Sequence, residues 1–129
     1  MPLHDPRLPH VDRVLDVVDL GPGVGADVDR RLIGEVNRRR ILDLGCGQGH
    51  TAVGLALRGA RAIAVDDDVA QLAATRTLAA RHDVTVECHQ AKPAELAFLA
   101  ADHVDLAVAV TTLSWVQDLN RVFRQVHRV

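Results

Sequence analysis

The chain has 129 residues, 48% apolar and 25% charged, with a formal net charge of −2. That leaves room for one domain with a modest core. Acids interspersed among the arginines argue against a polyanionic partner such as nucleic acid. No apolar run reaches membrane-spanning length, and MPLHDPRLPH lacks the apolar stretch of a signal peptide, so no membrane partner and a cytoplasmic location are expected. Cys46 and Cys88 form no CxxC pair and suit a reducing compartment. The histidines show no HxxxH or HExxH spacing, and no metal site is expected.

In chain order, Val11, Val14, Leu15 and Val18 fall on one helical stripe, with Asp12, Arg13 and Asp16 opposite, and predict a helix over 11–19. It runs into DLGPGVG, where Gly21 and Pro22 are ordinary helix-ending punctuation. A second helix over 27–36 carries Val28, Leu32, Ile33 and Val36 inward. These two helices make residues 1–37 a helical lead-in to an α/β core over 38–129.

The core opens with RRRILDL, a strand over 39–44, and then repeats the earlier string almost unchanged as DLGCGQG. Here a helix follows at once, over 49–58, with Ala52, Val53, Ala56 and Leu57 at helical spacing. Strand, glycine turn and helix together bring bare N–H groups and unobstructed backbone to a ligand. The second copy is therefore the binding turn and the first is not. RAIAVD is a strand over 61–66, VAQLAATRTLAAR a helix over 68–81 capped by Asp68, and DVTVEC an alternating edge strand over 83–88. A short helix over 93–100, a strand over 104–110 and a helix over 118–127 complete the set. VDLAVAV is apolar at nearly every position, as a strand covered on both faces should be. Alternating strands and helices imply a Rossmann-like, three-layer parallel sheet.

The turn reads GxGxG at Gly45, Gly47 and Gly49, and the third position of a dinucleotide fingerprint is instead the bulky His50. No GK[ST] follows, which excludes a phosphate-binding Walker loop. Asp43, just before the glycines, would repel a pyrophosphate and attract a ligand bearing an ammonium and a sulfonium. That favours S-adenosylmethionine over NAD. Asp66 stands about 20 residues after Gly45, at the end of the second strand, where an acid reaches ribose hydroxyls.

ILDLGCGQG, AVDDD and the stretch from Ala94 to Val129 resemble, in order and spacing, the class I S-adenosylmethionine-dependent methyltransferases of the type 11 form. The resemblance runs from about Arg39 to the C-terminus. It implies that Gly45, Cys46 and Gly47, with Gly49 closing the turn, flank the methionyl part of the cofactor. By the same resemblance Asp43 meets the amino group, Asp66 and its neighbour Asp67 the ribose, and Ala91-Lys92-Pro93 the adenine. Lys92 replaces the aspartate usual in the family. The implied activity is methyl transfer to a small-molecule acceptor, with no signature catalytic base. His50, Ser114 and Trp115 are candidates for the acceptor side. The family's strand order, 3-2-1-4-5-7-6, makes this chain the cofactor-binding part of such a fold, truncated after the fourth strand and its helix. The fourth strand is then an open edge through which the chain would self-associate. A non-catalytic relative and an NAD-dependent oxidoreductase are the competing readings.

Overall fold

The computed structural model of the protein describes residues 33–109 and 116–129. The predicted helix over 11–19, most of that over 27–36, the first glycine string, Ser114 and Trp115 lie outside them. Four strands, β1 (Arg40–Leu44), β2 (Arg61–Asp66), β3 (Glu87–Gln90) and β4 (Leu106–Val108), form one parallel sheet in the order β3-β2-β1-β4. Helices α1 (His50–Leu57) and α2 (Val69–Arg81) follow β1 and β2, and α3 (Leu119–Arg128) follows β4.

β1 and β2 are apolar along most of their length because both faces are covered. Leu42, Leu44, Ile63 and Val65 form one buried cluster with Leu96, Leu99 and Val122 of α3. On the opposite face Ala62 and Ala64 pack with Ala52 of α1 and Leu72 of α2. Small side chains on that face let two helices lie close to the sheet. The result is a three-layer sandwich with α1 and α2 on one side and α3 on the other.

The register places the functional end. Leu44 lies beside Val65, and Asp66 beside Gln90, so the last residues of β1, β2 and β3 finish together. From β1 the chain steps outward to β2 and β3, then returns to the other side of β1 as β4. That reversal opens a crevice at the carboxyl ends of the strands, the usual ligand position in open α/β sheets. At the opposite end, the Asp105 carboxylate accepts from the Arg40 N–H at 2.8 Å and holds β4 in register. The same contacts keep the Asp105 carboxyl below the usual carboxylate range.

Four regions differ from the sequence expectation by more than a one-residue shift at an end. Ile33 to Val36 is not helical, and Gly34 takes a left-handed φ of 74°. β3 begins at Glu87 rather than at residue 83, because the Asp83 and Val84 N–H groups still bond back to Ala80 and Ala79 at the end of α2. Val84 and Val86 spend their apolar side chains on Val53, Leu78 and Ala79, packing against helices before the ladder starts. No helix forms over 93–100. Two successive turns close there, Glu95 to Lys92 and Leu99 to Leu96, and the Arg128 guanidinium donates to the carbonyls of Leu96 and Leu99 at 2.8 and 2.9 Å. Lastly, β4 is a three-residue strand, and among the described residues it pairs only with β1.

Candidate functional site

The turn after β1 is built by its glycines. Gly45, Gly47 and Gly49 all take left-handed φ angles, 75°, 54° and 93°, which explains their spacing at alternate positions. The Gly45 and Cys46 N–H groups both donate to the Val65 carbonyl, at 2.8 and 3.0 Å, and anchor the turn on the end of β2. Gly49 is the residue before α1, and a Cβ there would meet Thr75 of α2 at 2.6 Å. Gly49 therefore serves the packing of α1 on α2. At Gly47 a Cβ would meet nothing within 4 Å, so open space lies over that peptide.

Asp43 sits beneath this turn, 2% exposed. Burial, then the nearby Asp66 charge, push its carboxyl up to about 7, and the Ala52 N–H acts in the opposite direction. Its Oδ2 is buried without a hydrogen-bond partner. Buried polar atoms are almost always satisfied, so an orphaned carboxylate oxygen points to a missing donor. A cation is the donor that also relieves the charge.

Asp66 closes the turn from the β2 side. Its Oδ2 accepts from the Gly47 N–H at 3.0 Å and its Oδ1 from the Asp68 N–H at 2.9 Å. Each oxygen keeps a second lone pair, enough to receive a ribose hydroxyl as well. Asp68 does the capping, accepting from the Ala70 N–H at 2.8 Å at the start of α2. Asp67 is exposed, and its carbonyl accepts from the Gln90 side chain at 3.4 Å. The Ala91 N–H donates to the Asp66 carbonyl at 3.0 Å, which brings the loop of Lys92 and Pro93 beside the ribose-binding candidate. Lys92 is exposed there.

The structure thus gathers Asp43, Gly45, Cys46, Gly47, Asp66 and the 91–93 loop at one end of the sheet. Cys46 is buried and its thiol is pushed up to about 12 by burial first, so it stays a neutral thiol. His50 is exposed at the first turn of α1. Among the described residues, no group of three His, Cys, Asp or Glu side chains stands where it could hold a metal ion.

One site residue escaped the sequence reading. Thr75, fully buried on α2, donates to the Gly47 carbonyl at 3.1 Å. Its signal was present, since Leu72, Thr75, Leu78 and Ala79 form one buried stripe and Thr75 alone carries a hydroxyl. A lone hydroxyl on such a stripe can bond back within its own helix, as Thr75 does to the Gln71 carbonyl at 3.0 Å, or reach a neighbouring element, as it does at Gly47.

Comparison with known proteins agrees with this fold. The family model described as "Methyltransferase domain" matches residues 42–129. A ubiquinone biosynthesis O-methyltransferase of Alkalilimnicola ehrlichii is 34% identical over 100 residues, covering 78% of this chain and 40% of that protein. One from Pseudomonas syringae pv. tomato is 32% identical over 91 residues, 70% of this chain and 39% of that protein. The chain spans about two-fifths of the length of the curated relatives it matches. Among solved structures, an S-adenosylmethionine-dependent methyltransferase from Mesorhizobium loti superposes with a TM-score of 0.68 at 35% identity, over 77% of this chain and 44% of that one. The chain belongs to the methyltransferase domain family, whose cofactor is S-adenosylmethionine.

Proposed function

We propose that the chain binds S-adenosylmethionine over the β1–α1 turn and serves methyl transfer to an oxygen of a small molecule. The observation that carries this reading is the orphaned, buried Oδ2 of Asp43, on the strand that leads into a glycine turn with open space over Gly47. Asp43 receives the ammonium of the cofactor's methionyl part, and the backbone of Gly45, Cys46 and Gly47 flanks that part. Asp66 takes the ribose hydroxyls, with Asp67 at the rim. Ala91, Lys92 and Pro93 border the adenine, where Lys92 offers a donor rather than an acceptor.

A pyrophosphate fits this site poorly, because it would face the carboxylates of Asp43 and Asp66 together. The bound cofactor supplies an activated methyl group. The residues of this chain have to hold that donor in a fixed orientation and keep water from its amino end, so positioning carries most of the catalytic work. The oxygen acceptor is proposed from the O-methyltransferase relatives.

Incubation with methyl-labelled S-adenosylmethionine and a panel of phenols and other small hydroxyl compounds tests this. Label is expected as a methyl ether on a hydroxyl compound. Cofactor binding without transfer to any member of the panel would favour a non-catalytic relative instead.

A further inference from the structure

We infer that Thr75 is a positioning residue for the cofactor, acting through the peptide of Gly47. The inference rests on the cofactor reading above and names a residue that this reading does not use.

Gly47 is held at both of its polar groups. Its N–H donates to Asp66 at 3.0 Å and its carbonyl accepts from the Thr75 hydroxyl at 3.1 Å. The hydroxyl has one proton and two carbonyl acceptors in reach, the second being the Gln71 carbonyl at 3.0 Å, besides the weakly accepting Cys46 sulfur at 3.7 Å. Gln71 is one helical turn back, where its carbonyl also serves the backbone bond within α2. Among the described residues the Gly47 carbonyl has only the Cys46 thiol as a second donor, at 3.5 Å, and a thiol donates weakly. The proton is therefore worth most at Gly47.

Thr75 also fixes how near the turn can come, since its side chain fills the space that a Cβ at Gly49 would need. One buried side chain on α2 thus sets both the orientation of the Gly47 peptide and the approach of the α1 start. A left-handed glycine held by nothing but its own backbone would sample other conformations freely. The Thr75 hydroxyl removes that freedom before the ligand arrives, and preorganisation of this kind raises affinity.

The test is titration calorimetry of the chain with S-adenosylhomocysteine, comparing wild type, Thr75→Val and Thr75→Ser. Valine keeps the shape and deletes the hydroxyl, whereas serine keeps the hydroxyl. Thr75→Val is expected to weaken binding about five- to tenfold in folded protein, the loss of one hydrogen bond. Thr75→Ser should recover most of that affinity. Introduced beside Asp66→Ala, which removes the acceptor of the Gly47 N–H, the same Val substitution should cost less, because Gly47 is already released at its other end. Unchanged affinity in Thr75→Val, or a Thr75→Ser as weak as Thr75→Val, would overturn the inference and leave the cofactor reading intact. A wild-type chain that binds no S-adenosylhomocysteine would remove both.

Discussion

Gly47→Val is expected to remove S-adenosylhomocysteine binding from a chain that still folds, and Gly49→Ala to weaken the fold first. Both residues have left-handed φ angles, so each substitution carries a backbone cost of about 1–2 kcal/mol. They differ in what the added atoms meet. Around Gly47 no protein atom lies within 4 Å of a Cβ, and the new side chain enters the space assigned to the methionyl group. Affinity should fall on the order of a hundredfold or more, the penalty for forcing atoms into an occupied site. At Gly49 the Cβ would lie 2.6 Å from the Thr75 side chain, which has no room to move because Thr75 is fully buried. Strain and overlap together should cost about 2–4 kcal/mol of stability. Chemical denaturation and calorimetry on both variants separate the two effects. A Gly47→Val chain that binds as tightly as wild type would show that the cofactor does not lie over that peptide.

The second large effect belongs to Asp43 and depends on pH. Its folded-state value of about 7 lies above the ordinary 3.8, so the ligand-free chain gains from Asp43 a stability present below pH 4 and lost as pH rises through 7. Over that window the loss amounts to about 4 kcal/mol. Asp43→Asn should accordingly stabilise the ligand-free chain at pH 8 and change it little at pH 4. Cofactor binding should behave in the opposite way. The ammonium requires the ionised carboxylate, so affinity should decline about tenfold per pH unit below 7 in wild type. In Asp43→Asn that slope should be absent, and affinity at pH 8 should fall by about a hundredfold or more, as when one partner of a buried ion pair is removed. A wild-type affinity that is flat between pH 5 and 8 would place the ammonium away from Asp43.

Much of this fold was legible in the residues. ILDL and AIAV are apolar without alternation, and both became central strands covered on two faces. The GxGxG turn was legible because only glycine accepts a left-handed φ at alternate positions, and Asp68 because a helix start wants an acceptor. What failed was local sequence read without its tertiary partners. DVTVEC alternates like a strand, yet Val84 and Val86 serve packing against α1 and α2. The 93–100 stretch has helical spacing, yet Arg128, about 30 residues further on, captures its carbonyls and fixes a pair of turns. Thr75 was missed for the same reason, as one of its two carbonyl acceptors, Gly47, lies on a different element. The carboxylates of Asp43 and Asp66 stand out as candidates in the sequence because their charge falls at or next to strand ends, where open α/β sheets usually receive ligands.

Direct comparison of S-adenosylhomocysteine with NAD by titration calorimetry on the 129-residue chain tests the central claim, that the β1–α1 turn is built for an ammonium-bearing amino-acid nucleoside. Asp43 and Asp66 should admit the ammonium and ribose of the first ligand and repel the pyrophosphate of the second. S-adenosylhomocysteine is expected to bind and NAD to bind far more weakly. Tighter binding of NAD would contradict the account and revive a dinucleotide-dependent function.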